Sequence, residues 1–358
     1  MRPTNSIAKV AGLLAVCLFI GSGLARDGAS RRTIAATPVN ANRPPISRGF
    51  IPAADPSFIG AQGNQTDSAP PPLGQLVDIG GRRLHLICRG EGKPTVLLEN
   101  GSDGFSIDWA LVQPQVAKFA RVCTYDRAGF AWSDRGPAIN TVEQTMDDLH
   151  LLLGTAAITP PYILVGHSIG GLYVRAYQRR YPQEVVGMVL VDATPEEDLG
   201  YSVNGVNKAG IDMSYEDMEA AYAPFLKNAP TPPKPWTEVP EPFTHLPPDL
   251  QRARMWASWQ WFAQIDMPHS WITAESWKEE FVALHRLRLS RSYVLGDLPL
   301  IVLHRGRRTD PVLDKREAEM AQMSHSGLDW VAKESDHFIQ LWQPDMVVTA
   351  IRQVAKAK

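Results

Sequence analysis

The sequence predicts an α/β protein with a mostly parallel, doubly wound sheet and a helical lid inserted between the sixth and seventh core strands. From Gln75 onward, apolar runs of strand length alternate with stretches of helical periodicity, which is typical of a parallel sheet covered by helices on both faces. Between Asp192 and Leu298 this alternation stops, over a stretch too long for a simple loop. We expect residues from about 194 to 297 to form the lid, above the carboxyl ends of the strands, where ligands bind in such sheets.

Apolar runs mark the predicted strands, and capping signals mark the helix starts. Thr141, with Gln144 three residues later, has the pattern of a capping box. A second helix follows Gly170 and ends near Tyr181. Pro344 suits the first turn of a closing helix, because its missing N–H is tolerated there. The predicted strands are Arg82–Cys88, Thr95–Glu99, Ala120–Tyr125, Tyr162–Val165, Val185–Val191, Leu298–His304 and a last strand that begins at Trp330.

The pentapeptide Gly166-His167-Ser168-Ile169-Gly170 lies between an apolar strand and a helical stretch. Strand, G-x-S-x-G and helix in succession form the context of a nucleophile elbow, a turn so tight that its flanking positions must lack bulk. Such a turn lifts the Ser168 hydroxyl above the sheet and aims the N–H of Ile169 at the place where an oxyanion would form. The alternative is an ordinary small-residue turn without chemistry.

A serine hydroxyl is a weak nucleophile and needs a general base. His337 fits best among the nine histidines, because it follows the last predicted strand and precedes the closing helix. His167 occupies the variable position of the elbow and should point away, and His304 ends a strand and is read as structural. The N–H groups of Ser102 and Ile169 would form the oxyanion hole. The polar residues that follow strands, and therefore share one rim of the sheet, are Ser102, Asp126, Ser168, Asp192 and His337.

Two aspartates could orient the imidazole of His337. Asp192 follows the strand that ends at Val191, and a carboxylate at a strand end is held rigidly. Asp310 lies in a Pro-bounded, Arg-rich loop after the next strand, where it could equally be a turn residue or part of a surface ion pair. We favour Asp192 as the acid of the triad and keep Asp310 as the alternative.

Four stretches give the chain, from about Leu84 to its C-terminus, a resemblance to the α/β-hydrolase superfamily, and within it to the lidded serine hydrolases. The resemblance implies an acyl-enzyme mechanism without a cofactor. It also implies that the acid commonly stands where Asp310 does, although related dehalogenases carry it 24 residues after the nucleophile, the separation of Asp192 from Ser168. The four stretches are Glu99-Asn100-Gly101-Ser102, Asp126 to Ser133, the elbow, and Ser335-Asp336-His337-Phe338.

The sequence departs from the family pattern at two positions. Asn100-Gly101 stands where the family usually has His-Gly, whose histidine braces the oxyanion loop, and Ala131 stands where glycine is common. Neither change removes a catalytic atom. We expect Asp126 and Arg127 to fix the loop after their strand by hydrogen bonding rather than to take part in the chemistry.

These features predict a serine hydrolase that cleaves a carboxylic ester, or a related acyl bond, of a small apolar or aromatic molecule. The net charge of −2 gives no electrostatic footprint for nucleic acid. The sequence shows no phosphate-binding loop and no metal-ligand spacing of Cys and His, so we expect neither a cofactor nor a metal. The alternatives are a peptidase or C–C bond hydrolase on the same fold, or a non-catalytic binding protein.

The first 25 residues resemble a secretory signal peptide. Arg2 and Lys9 flank a polar start, the apolar run Val10–Ile20 is too short to span a bilayer comfortably, and Ala25 closes a small-residue cleavage site. Residues 26–72 are rich in Pro, Ser and Ala and predict a disordered linker, with the hydrolase domain over residues 73–358. We therefore expect export to the periplasm or secretion, with an uncleaved membrane tether as the alternative.

Two cysteines lie in predicted strands of the domain. Cys88 and Cys123 each sit in an apolar run, where a thiol behaves as a small apolar side chain. A disulfide is possible in an oxidising compartment. We favour two buried thiols.

Overall fold

A computed structural model describes thirteen ranges of the chain, all of them after residue 68. The predicted signal peptide, nearly all of the predicted linker, much of the predicted lid and Asp310 lie outside the described residues. Within the described ranges, the backbone alone is described for 201–203, 206–208, 260–265 and 312. The described residues are 69–102, 104–136, 142–196, 201–203, 206–208, 214, 217, 220, 236–265, 283–284, 286–288, 294–307 and 311–357.

Within the described residues, eight strands form one sheet in the order β1-β2-β4-β3-β5-β6-β9-β10. Strand β2 pairs antiparallel with β1 and β4, and every other neighbouring pair is parallel. The prediction of a mostly parallel sheet is therefore confirmed. The strands are β1 (Gln75–Asp78), β2 (Arg83–Arg89), β3 (Thr95–Glu99), β4 (Val122–Tyr125), β5 (Tyr162–His167), β6 (Val185–Val191), β7 (Tyr201–Val203), β8 (Val206–Lys208), β9 (Leu300–Arg305) and β10 (Gly327–Ala332).

Helices follow the strands and cover the sheet. The closing helix begins at Pro344, as the sequence predicts, and the helix predicted from Thr141 is described from Val142 onward. Short 3-10 helices at Ser106–Trp109 and Phe243–His245 lie outside the predicted pattern. The α-helices are α1 (Gln113–Val116), α2 (Val142–Thr155), α3 (Gly170–Arg180), α4 (Pro248–Ile265), α5 (Pro311–Met320), α6 (Ile339–Trp342) and α7 (Pro344–Lys356).

The central strands are buried on both faces, because successive side chains alternate between the two layers of helices. Leu97 of β3 packs in a core that includes Leu149 of α2 and Leu172 of α3. Its neighbour Val96 packs in a second core that includes Ile351 of α7. This two-sided burial explains the near-continuous apolar runs of β3, β5 and β6, and it fixes the ends of these strands as a rigid rim.

Cys88 and Cys123 form a disulfide, so the preference for two thiols is wrong. The residues stand directly opposite each other in the antiparallel pair β2–β4, with their Cα atoms 4.1 Å apart. The strand character of both runs was predicted. The pairing of the two cysteines could not be predicted, because it depends on β2 lying next to β4 in the sheet rather than next to β3.

The segment between β6 and β9, the sixth and seventh strands of the main sheet, contains a two-stranded hairpin (β7–β8) and helix α4 among its described parts. Helix α4 is attached to the 3-10 helix at Ser106–Trp109 by Arg254, whose Nε lies 2.7 Å from Oδ1 of Asp108, with both side chains buried. Trp256 packs on Trp132 at a ring distance of 5.2 Å. A role for this segment as a lid stays a prediction.

The tryptophans of the inserted segment differ in their surroundings. Trp236 packs on Phe243 at a ring distance of 5.3 Å, whereas Trp259 is 49% exposed. The side chains of Trp261, Trp271 and Trp277 lie outside the described residues. Over the part of the chain that the structure describes, no helix combines the length and apolar character needed to cross a membrane.

Candidate active site

Ser168 occupies the turn between β5 and α3, with a backbone φ of +53° in the left-handed region. This turn leaves no room at its flanks. A Cβ atom on Gly166 would lie 2.5 Å from the carbonyl oxygen of Gly170, and one on Gly170 would lie 2.5 Å from that of Asn100. The N–H of Ser168 donates to Val191 of β6 at 3.0 Å, so the strained turn is fastened to the neighbouring strand.

A continuous set of hydrogen bonds connects Ser168, His337 and Asp192. Oγ of Ser168 lies 3.0 Å from Nε2 of His337, and Nδ1 of His337 lies 2.5 Å from Oδ2 of Asp192. Because a carboxylate can only accept, Nδ1 of His337 carries the hydrogen. Nε2 is then left as the acceptor for the Ser168 hydroxyl. The structure thus brings together the three residues that the sequence singles out as nucleophile, base and acid.

Asp192, directly after β6, is held by two contacts with Arg305. Its Oδ1 accepts a hydrogen bond from the N–H of Arg305 at 2.9 Å, and its Oδ2 lies 3.4 Å from Nε of that residue. The Asp192 side chain is 1% exposed. The carboxylate therefore faces His337 in one fixed orientation, because strand β9 supplies both of these contacts. The other candidate, Asp310, lies outside the described residues.

His167 supports the loop of His337 and makes no described bond to Oγ of Ser168. Its Nε2 lies 3.0 Å from the carbonyl oxygen of His337, and its ring packs against Phe338 at 5.0 Å. Burial, aided by the nearby charge of His337, lowers the pKa of His167 to about 3. The neutral ring donates this hydrogen bond, because a carbonyl can only accept. The sequence suggested only that His167 points away, and did not predict this contact.

The loop after β3 lies against the turn that carries Ser168. A Cβ atom on Gly101 would be 3.3 Å from Cβ of Ser168 and 3.0 Å from Nδ1 of His167. Within the described residues, neither the N–H of Ser102 nor that of Ile169 donates to a backbone carbonyl. Ile169 directly precedes helix α3, where unpaired N–H groups and the helix dipole favour negative charge. Both predicted oxyanion donors thus lie in segments next to Ser168.

The comparison with protein families agrees with this geometry. A family model described as "Alpha/beta hydrolase family" matches residues 96–350, which is more than half of the chain. The chain belongs to the alpha/beta hydrolase family. The resemblance inferred from the four motifs is thereby confirmed, and all four motifs lie inside the matched range.

Curated relatives match shares of this alpha/beta hydrolase that differ widely in length. An "AB hydrolase superfamily protein" of Gibberella zeae is 24% identical over 313 residues, which cover 77% of this chain and 92% of that protein. A "Probable transporter efuK" of Hormonema carpetanum is 37% identical over 131 residues, which cover 34% of this chain and 18% of that protein. Two other relatives, from Schizosaccharomyces pombe and Bacillus subtilis, are likewise covered over only 27% and 42% of their length.

A solved structure of similar fold is that of a thermophilic esterase from Thermogutta terrifontis. It is 19% identical, with a TM-score of 0.51, and the match covers 77% of this chain and 93% of the esterase. At this level of identity the likeness shows a shared fold.

The side chains of Asp126 and Arg127 of this alpha/beta hydrolase bind segments other than their own loop. Asp126 accepts from Nδ1 of His85 at 2.7 Å and from the N–H of Ser106 at 2.7 Å, which ties β2 to the 3-10 helix beyond the β3 loop. Arg127 donates to backbone carbonyls of the β3 loop itself. Both act by hydrogen bonding, as predicted, but the segments that they fix lie far away in sequence. The signal that could have suggested this is the pair of opposite charges, Asp126 and Arg127, directly after the apolar run of β4.

No group of His, Cys, Asp and Glu side chains in the described ranges is arranged to hold a metal ion.

Proposed function

We propose that this alpha/beta hydrolase is a serine hydrolase in which Ser168 is the nucleophile, His337 the general base and Asp192 the residue that orients the base. The hydrogen-bonded series Asp192–His337–Ser168, with distances of 2.5 and 3.0 Å, is the observation that carries the proposal. Nucleophile and base within hydrogen-bond reach, with the base oriented by a third group, is the arrangement that activates a serine.

The reaction then proceeds through an acyl-enzyme. Oγ of Ser168 attacks the carbonyl carbon of the substrate while Nε2 of His337 takes its proton, and Asp192 stabilises the imidazolium that forms. The N–H groups of Ser102 and Ile169 donate to the oxyanion of the tetrahedral intermediate. When the intermediate collapses, His337 returns the proton to the leaving group. Water, activated by the same histidine, releases the acid.

We infer that the substrate is a carboxylic ester of a small apolar or aromatic molecule. Aromatic side chains beside His337 support this choice, because Phe338 packs on the His337 ring at 5.4 Å and on Phe243 at 5.0 Å. The latter residue belongs to the inserted segment between β6 and β9, which we propose covers the site as a lid. Ring faces of this kind bind apolar groups.

We also propose that the protein is exported, which the disulfide between Cys88 and Cys123 supports, since such bonds persist in oxidising compartments. The mature chain is expected to begin after about Ala25. N-terminal sequencing of the protein from a native host tests this, and a chain that begins at Met1 in the cytosolic fraction would reject it.

A substrate panel tests the proposed function. We expect p-nitrophenyl esters of increasing acyl length to be hydrolysed, with a preference for short or aromatic acyl groups, and aminoacyl-naphthylamides to be poor substrates. Ser168→Ala should abolish turnover of every ester while leaving the circular dichroism spectrum unchanged. Efficient cleavage of the naphthylamides alone would make the protein a peptidase.

A further inference from the structure

Arg127 lies against the loop that follows β3, with its side chain only 1% exposed. Its Nη1 donates to Oε1 of Glu99 at 2.6 Å and to the carbonyl of Asn100 at 2.9 Å. Its Nη2 donates to the carbonyl of Gly101 and, at 3.2 Å, to that of Ser102. One guanidinium therefore binds three successive carbonyl oxygens of this loop.

The direction of these carbonyls determines where the N–H groups of the loop point. In a trans peptide unit, the C=O and the N–H lie on opposite sides of the chain. Because the carbonyl of Gly101 points at Arg127, the N–H of Ser102, in the same peptide unit, points away from Arg127. Gly101 lies against the turn that carries Ser168. Within the described residues, the N–H of Ser102 donates to no backbone carbonyl. It is therefore left available to an oxyanion formed on Ser168.

The side chain of Asn100 bonds to strand β4 rather than to its own loop. Asn100, which stands where the family pattern has a bracing histidine, turns back toward β4, and its Nδ2 donates to the carbonyl of Tyr125 at 2.9 Å. Arg127 is in turn fixed between two aromatic rings, 4.8 Å from the ring centre of Phe130 and 5.1 Å from that of Tyr173. Arg127, which follows the end of β4, therefore supports the loop after β3 with a side chain that is held in place.

We propose that Arg127 is the positioning residue of the oxyanion hole, with Glu99 as its counter-charge. It holds the carbonyl of Gly101 so that the N–H of Ser102 keeps its place in the transition state. The inference rests on the proposed serine-hydrolase function, because this N–H has a catalytic use only if an oxyanion forms on Ser168. Arg127 acts through the loop and does not touch the reacting atoms.

A second buried ion pair provides a matched control. Nη1 of Arg175 lies 2.6 Å from Oε1 of Glu196, the same separation as in the pair of Arg127 and Glu99, and both of its side chains are similarly buried. Nε of Arg175 donates to the backbone carbonyl of Gly171 on helix α3, and not to a carbonyl of the β3 loop. Arg175→Met therefore reproduces the loss of a buried guanidinium without releasing the carbonyls of that loop.

The test compares Arg127→Met, Arg127→Lys and Arg175→Met with the unchanged protein. Turnover of p-nitrophenyl butyrate gives kcat and KM, and inhibition by benzeneboronic acid reports affinity for a tetrahedral adduct on serine. We expect Arg127→Met to lower kcat by about 100-fold, as loss of an oxyanion donor does, with KM changed less than about twofold. Boronic acid affinity should fall with kcat. Arg127→Lys should be intermediate, because it keeps the charge but not the planar fork.

A further variant combines Glu99→Gln with Arg127→Met and therefore leaves no unpaired buried charge. It takes the place of Arg127→Met in the test if that single variant does not fold. It should show the same loss of kcat. If neither variant folds, the intermediate kcat expected of Arg127→Lys decides instead. The inference is overturned if the folded variants of Arg127 keep kcat within about threefold of Arg175→Met. That result would leave Ser168→Ala inactive, whereas turnover by Ser168→Ala would reject the proposed function itself.

Discussion

Oδ2 of Asp192 lies 2.5 Å from Nδ1 of His337, across 145 residues of sequence. The carboxylate comes from the end of β6, the strand next to the one that carries Ser168, and not from the loop after β9 where the family resemblance would first place it. Two adjacent strands therefore present Ser168 and Asp192, the proposed nucleophile and the proposed acid. The sheet itself sets the distance between them.

The role of Asp192 can be tested by a change that keeps its shape. Asp192→Asn should lower kcat by about 10⁴-fold, because the amide no longer holds the hydrogen on Nδ1 of His337. Asp336→Asn is the control, since Oδ1 of that exposed residue accepts from the backbone N–H of His337 at 2.9 Å and from Nη1 of Arg305 at 3.5 Å, and the amide of asparagine keeps an oxygen for both bonds. Asp310→Asn should also be mild. A larger loss in Asp310→Asn than in Asp192→Asn would move the acid to Asp310.

His337 should be indispensable for turnover. Its replacement in His337→Ala removes the atom that takes the Ser168 proton, so kcat should fall by several orders of magnitude with the fold intact. The control is His150→Gln, because His150 lies on helix α2 and its ring bonds Glu184 at 3.0 Å, away from the site. Steady-state kinetics on a p-nitrophenyl ester distinguish the two. Near-normal turnover in His337→Ala would assign the base to another histidine.

His167 gives the protein a specific sensitivity to acid. Its pKa is about 3 in the folded protein against an ordinary value of 6.5, so between these values the unfolded chain binds a proton that the folded protein does not. Stability should therefore fall as the pH drops below about 6.5, by up to about 1.4 kcal/mol per pH unit from this group. His167→Gln cannot titrate and can still donate to the carbonyl of His337.

Urea unfolding of the wild type and of His167→Gln between pH 7 and pH 4.5 measures this effect. We expect the difference in the free energy of unfolding between the two proteins to change steadily below pH 6.5, in the direction that favours the variant. Parallel curves over the whole range would show that His167 takes up its proton in the folded state as well.

The disulfide should contribute substantially to stability. Cys88 and Cys123 close a segment with a sequence separation of 35 residues, for which the chain-entropy relation gives about 3–4 kcal/mol. Urea unfolding with and without a phosphine reductant should show a loss of this size. The double variant Cys88→Ala with Cys123→Ala should match the reduced protein and should not respond to the reductant. Equal stability of oxidised and reduced protein would contradict this account.

Sequence patterns predicted what is local in the fold. The bounds of β3 and β6, the turn at Ser168 and the start of α7 at Pro344 follow from apolar runs, glycine spacing and capping chemistry within a few residues. The rim position of His337 followed from the same patterns, because the carboxyl ends of parallel strands share one edge.

Contacts between distant segments were not predictable in the same way. The reach of Arg127 into the β3 loop depends on β3 and β4 being neighbours, and the bond from His167 to the carbonyl of His337 spans 170 residues. The disulfide likewise depends on β2 pairing with β4. Strand order in the finished sheet decides all three, and no local pattern in one sequence encodes that order.

The central claim is that Ser168 is an activated nucleophile, and covalent labelling tests it most directly. A fluorophosphonate probe reacts with a serine only where a base removes its proton and an oxyanion hole accepts the developing charge. We expect the intact protein to be labelled stoichiometrically, with the adduct on the peptide that contains Ser168, and Ser168→Ala to remain unlabelled. Labelling that persists in Ser168→Ala, or a folded wild-type protein that does not react, would contradict the account.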